Sequence, residues 1–186
     1  MNELPDSPLV LSAFDHVSAS LDDAILNHSI RVAKLATAIA ESERLHLAPE
    51  ALWVASLFHD FGTVASTSSA DRFEVVGGNE AAAFLHRVSP FEAHEVQEIW
   101  DAIALHTSPH IAESRGGLTR AIRLGVLMDF GEDVLEHSAS IRAQVEAASP
   151  RLDVEIVLAD LVVSHVLARP EKAPVRAGRT ICTKAI

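Results

Sequence analysis

Helical periodicity constrains this chain more than any other feature. Between Leu21 and Leu45, apolar residues fall at Ile25, Val32, Leu35, Ala36, Ile39 and Ala40, which a 3.6-residue period gathers on one face. Such a stripe needs another element to cover it. The same period returns in 51–58, 79–88, 91–106, 118–130, 139–148 and 154–168. Pro49 stands where a first-turn proline is tolerated, Pro90 introduces the helix expected over 91–106, and Asp22 or Asp23 is placed to cap the first long helix. No stretch alternates as a half-buried strand does. The expected fold is all-α: a single domain over 21–169, a helical bundle of about seven or eight helices. A partly helical segment, 1–20, precedes it and a loosely packed tail, 170–186, follows.

Two stretches break the pattern. Residues 62–78 are rich in Thr, Ser, Ala and Gly and carry no period, so a long ordered loop is expected, with the next helix starting after Gly77-Gly78. Thr107–Gly117 reads as a polar linker.

Composition narrows the function. No apolar run reaches the roughly 20 residues that cross a bilayer; the best candidate, 155–168, is interrupted by Asp160 and His165. The first residues lack the basic and apolar regions of a secretory signal, so a soluble, cytoplasmic protein is expected. The net charge is −11, with 15 basic residues against 26 acidic ones and no basic stripe. Nucleic acid and membrane surfaces are therefore not expected partners; a small-molecule substrate is, and the 48% apolar content is compatible with a homodimer. Cys182 is the only cysteine, so no intrachain disulfide forms.

Of the ten histidines, His16, His46, His94, His110, His137 and His165 read as exposed or satisfied. His59-Asp60 is different, because it closes the apolar helix Ala51–Phe58. Burying an imidazole and a carboxylate side by side is costly unless they are paired or hold a metal. The dipeptide alone is equally a helix-end pair, with Asp60 bonding loop amides. His28, beside the apolar stripe of the long helix, and Asp129, inside Leu124-Gly-Val-Leu-Met-Asp-Phe, add two more ligand-type residues from apolar segments. Two His and two Asp suit one divalent cation: zinc, iron or manganese.

The order His28, His59-Asp60, Asp129, set in "HSIRVAKLA" and "ALWVASLFHDFG", resembles the metal signature of the HD superfamily across roughly residues 20–168. The resemblance implies an HD-type helical bundle whose metal activates water, and four ligands: His28, His59, Asp60 and Asp129. Arg72–Leu85, Trp100–Ser108 and Gly125–Val134 resemble the cyanamide hydratase-like branch, which implies zinc and hydration of a small nitrile such as cyanamide. Dinuclear members place further histidines between the HD pair and the last Asp. Here Gly77 occupies the first such position and His106 the second, so one metal is expected.

In that reading Asp60 holds the metal and the water, and His106 acts as acid or base. Phe73 and Thr107 are candidate pocket residues, with ordinary packing as the alternative, and His106 is equally a helix-end histidine bonding a carbonyl. The rival activity is phosphohydrolysis, which needs cations against phosphate. Arg31, one turn from His28, and Arg72 are the candidates, Arg31 being otherwise half-exposed or paired with an acid. A non-catalytic regulatory HD module is the third reading.

Overall fold

The structure, a computed structural model, describes residues 4–64 and 71–168. The tail with Cys182, residues 65–70 of the expected loop and the side chain of His165 lie outside the described residues. Nine α-helices run through the described chain: α1 (Pro8–Ser18), α2 (Asp23–Ser42), α3 (Pro49–Phe58), α4 (Phe73–Val88), α5 (Ala93–Leu105), α6 (Ala112–Arg115), α7 (Gly117–Asp129), α8 (Ser138–Ala148) and α9 (Val154–Ala168). A 3₁₀ turn, Phe61–Thr63, follows α3. Among the described residues there is no strand.

Local chemistry sets the helix starts. Asp22 caps α2, its Oδ1 accepting from the Ala24 N–H at 2.8 Å. Pro49 opens α3, where its missing N–H costs nothing. Glu92 and Glu95 close a capping box at the start of α5. The expected linker 107–117 contains the one-turn helix α6, the element that the periodicity was too short to reveal.

The helix α3 is the centre of the bundle and touches α1, α2, α4, α5 and α7. This explains its composition, since Leu52, Trp53, Val54, Ala55, Leu57 and Phe58 are all buried and no polar face remains. On one side α2 packs along α7; on the other α4 packs along α5. Leu9, Val10, Ala13 and Val17 of α1 join the same core cluster. Among the described residues no helix is long and apolar enough to cross a membrane.

The stretch around Gly77 departs from expectation. The helix α4 starts at Phe73, so Gly77 and Gly78 lie inside it rather than before it. A Cβ on Gly77 would stand 2.9 Å from the Phe58 carbonyl oxygen. The glycine lets α4 and the end of α3 touch backbone to backbone; a tertiary contact, not a loop, selected it.

Candidate metal centre

Three elements converge on one buried point. The second turn of α2 brings His28, the end of α3 brings His59 and Asp60, and the end of α5 brings His106. His28 and His59 are fully buried, and Asp60 and His106 nearly so. The donor atoms of His28, His59 and Asp60 lie within 4.8 Å of one another, which makes them a group able to hold a metal ion.

The turn carrying the pair is fixed from both sides. The Thr63 N–H and hydroxyl both donate to the Asp60 carbonyl oxygen, at 3.0 and 2.7 Å. A Cβ on Gly62 would sit 1.9 Å from the Phe73 carbonyl oxygen, so the turn rests directly on the first turn of α4. Thus the Gly that follows the pair is a packing requirement.

Hydrogen bonds also settle which way each imidazole faces. His59 Nδ1–H donates to the Ser56 carbonyl at 2.7 Å, and His106 Nδ1–H donates to the Ile103 carbonyl at 2.7 Å. A carbonyl only accepts, so both nitrogens carry hydrogen. His28 Nδ1 lies 2.7 Å from Asp129 Oδ2, a carboxylate that likewise accepts. All three rings therefore turn Nε2 towards Asp60. The distances are 3.5 Å from His28 and 3.1 Å from His59 to Oδ2, and 3.5 Å from His106 to Oδ1. The Nε2 atoms of His28 and His59 are 3.2 Å apart.

Such a set suits a positive charge at its centre. Three electron-rich nitrogens around a buried carboxylate repel one another unless a proton or a cation lies between them. The acid–base shifts agree. Burial, the largest influence on His28, pushes its pKa down and overrides the raising effect of Asp129. Burial also opposes charge on His59, yet Asp60 and the Ser56 carbonyl prevail and raise its pKa. Burial works against the charge of Asp60 too, but His59 and His106 hold its carboxyl well below the usual range. The donor set of two imidazoles and a carboxylate, with Nδ1–H anchored on each ring, suits a divalent metal.

The fourth expected ligand stands next to the cluster, in contact with His28. Asp129, at the end of α7, sits behind His28 on its Nδ1 side, outside the three-residue group. Arg31 grips it with two bonds, Nε to Oδ1 at 2.7 Å and Nη2 to Oδ2 at 2.9 Å. Arg31 Nη1 donates to the Ser149 and Pro150 carbonyls at 3.0 and 3.1 Å. Fully buried, Arg31 is thus the paired residue of the two alternatives read from sequence, not the half-exposed one.

Phe73 and Thr107 both reach the neighbourhood. The Phe73 ring meets the His106 ring edge-on at 5.8 Å. Thr107 donates to Glu74 Oε1, and Arg72 bonds both Glu74 and Thr107. Glu74, 1% exposed, joins the start of α4 to the end of α5. Three residues of this surround escaped the sequence reading: Glu74, Arg151 and Phe130. Phe130, half open to solvent, has its ring 5.0 Å from His28. Arg151 lies over Phe130, donates to the Asp129 carbonyl at 2.9 Å and pairs with Glu146 and Glu155. The arginine in Arg72-Phe-Glu74 was the signal nearest to Glu74; nothing local marks the other two. His46, His94, His110 and His137 are exposed, and His16 packs against Phe58, Phe61 and Phe84, as ordinary histidines do.

A comparison with curated proteins finds no match to the chain. A family profile described as the HD domain does match, over residues 25–162, a span running from the start of α2 into α9 that contains every residue of the converging cluster. HD domains are in general metal-dependent hydrolases. With helices of this order delivering His28, His59 and Asp60 to one buried point, the chain belongs to the HD-domain family.

Proposed function

We propose that this protein is a mononuclear metal-dependent hydratase or hydrolase acting on a small uncharged substrate, with nitriles such as cyanamide as the leading class. The observation that carries the reading is the common orientation of the three imidazoles, each with Nδ1–H anchored and Nε2 aimed at Asp60. His28, His59 and Asp60 would hold the cation, zinc first, with iron or manganese as alternatives. When bound, a divalent cation lowers the pKa of a coordinated water towards about 7.

The chain's own groups do the rest. Asp60 has Oδ2 towards the two histidines and Oδ1 towards His106, so one carboxylate would both help hold the cation and orient the acid–base group. With Nδ1 committed to Ile103, His106 takes up or releases a proton only at Nε2. Phe73 and Phe130 bring apolar ring surface beside the histidines, which suits a small apolar or neutral substrate.

Two features favour this reading over others. Gly77 leaves no room for a histidine, since the Phe58 carbonyl occupies that space, which supports one metal rather than two. The arginines around the cluster already have acidic partners: Arg31 with Asp129, Arg72 with Glu74, Arg151 with Glu146 and Glu155. That favours an uncharged substrate over a phosphate ester, which calls for free cationic groups. Steady-state assays of the metal-loaded protein with cyanamide, other small nitriles and nucleoside monophosphates test the proposal. Turnover of a nitrile supports it; turnover of the monophosphates alone overturns it.

A further inference from the structure

We propose that the chain after α9, residues 169–186, folds back over the outer face of that helix and is held there by its basic and apolar side chains. The proposal is independent of the metal reading.

The helix α9 is apolar on every side. Apart from His165, the only acidic or basic residues within Val154–Ala168 are Glu155 and Asp160. A helix of that composition belongs where both of its faces are covered. The inner face is covered: Val154 is buried, Val157, Leu158 and Leu161 pack on the main core cluster, and the helix lies against α2 and the Phe61–Thr63 turn. The outer face is not. Ile156, Val163 and Leu167 fall on one side of the helix and are 63%, 41% and 74% exposed. Among the described residues, no other helix exposes more than one large apolar side chain. A single exposed apolar residue is ordinary, whereas three on one face mark a contact surface.

Charge selects the occupant. Asp160 stands within the exposed stripe and meets no cation among the described residues. Glu155, by contrast, is already paired with Arg151. A second copy packed antiparallel on this stripe would set Asp160 against its own counterpart, in a chain of net charge −11. Residues 169–186 have the opposite character. Arg169, Lys172, Arg176, Arg179 and Lys184 stand against one acid, Glu171, with Val175, Ile181 and Ile186 among them.

Reach is not limiting. Pro170 and Pro174 disfavour continuation of the helix, so the chain can turn back along it. From Leu167 to Ile156 the face runs about 16 Å, at about 1.5 Å per residue of helix. About five residues of extended chain cover that distance, at roughly 3.3 Å each. Covering the outer face would press α9 onto the turn that follows His59-Asp60.

Cys182, the only cysteine, lets a nitroxide be placed in this segment of the unaltered full-length chain. Paramagnetic broadening of backbone amides in an isotope-labelled sample then reports where the segment lies. The amides of Ile156–Leu167 should be the most broadened, independently of protein concentration, and less so as salt is added. Asp160→Lys should lower the ratio of docked to free segment about 2- to 5-fold, the size of one exposed ion pair. Val163→Asp should lower it further. Both positions are at the surface, and circular dichroism checks that the variants fold. Broadening that spares α9, or that is the same in Asp160→Lys and Val163→Asp, overturns the proposal. So does broadening seen only in isotope-labelled chains mixed with separately spin-labelled ones, which would place the segment on a second copy. Self-association through α9 with a freely tumbling nitroxide overturns it as well.

Discussion

His59 Nε2 stands 3.1 Å from Asp60 Oδ2, and its other ring nitrogen is tied to the Ser56 carbonyl one turn back on α3. The helix thus aims its own terminal imidazole at the neighbouring carboxylate. That geometry brings the donor atoms together, and its acid–base consequences can be measured.

In the metal-free protein, stability should peak near pH 6.5. The raised pKa of His59 contributes stability that is full below the unfolded value of about 6.5 and is lost as pH rises through the folded value. The lowered pKa of His28 acts on the other side: as pH falls below about 6.5, the unfolded chain gains a proton that the folded chain refuses. Asp60 and Asp129, both held low, add a further loss below about pH 4. Thermal unfolding in the presence of chelator, followed from pH 4 to 9, checks this; a stability that climbs steadily to pH 9 contradicts it.

His106→Asn should separate chemistry from metal binding. The ring of His106 faces the outer oxygen of Asp60 and lies outside the three-residue metal group. Metal content should remain about one per chain, while kcat falls roughly 10²- to 10⁴-fold, the usual contribution of a general acid or base. Loss of the metal together with the activity would show His106 to be a ligand.

Gly77→Ala should destabilise the fold by about 1–3 kcal/mol, the range for forcing extra atoms into a packed core. The obstructing atom is backbone, the Phe58 carbonyl oxygen at 2.9 Å, so no side chain can swing aside. Urea denaturation measures the change. A neutral substitution would mean that α4 shifts freely against α3, and with it the turn bearing Asp60.

What could be read from the residues alone follows from what is local. His28 and His59-Asp60 stood out because one lies beside an apolar helical stripe and the other closes an apolar helix, patterns visible within a turn or two. The Arg31–Asp129 fork joins residues 98 apart, and Glu74 to Thr107 spans 33, so neither leaves a local trace. Gly77-Gly78 misled for the converse reason. Local propensity makes a glycine pair a helix breaker, while here Gly77 answers to the backbone of another helix. Glu74 lies in the stretch that the glycines had made look like a loop, and there its burial was invisible.

The most direct test of the account is a zinc titration of the chelator-treated, unaltered chain, with His59→Ala alongside and circular dichroism to confirm that both are folded. The account predicts saturation at about one zinc per chain. It also predicts the loss of stoichiometric binding in His59→Ala, since one of three converging donors is gone. Absence of saturable binding by the unaltered chain, or full occupancy in His59→Ala, would contradict it.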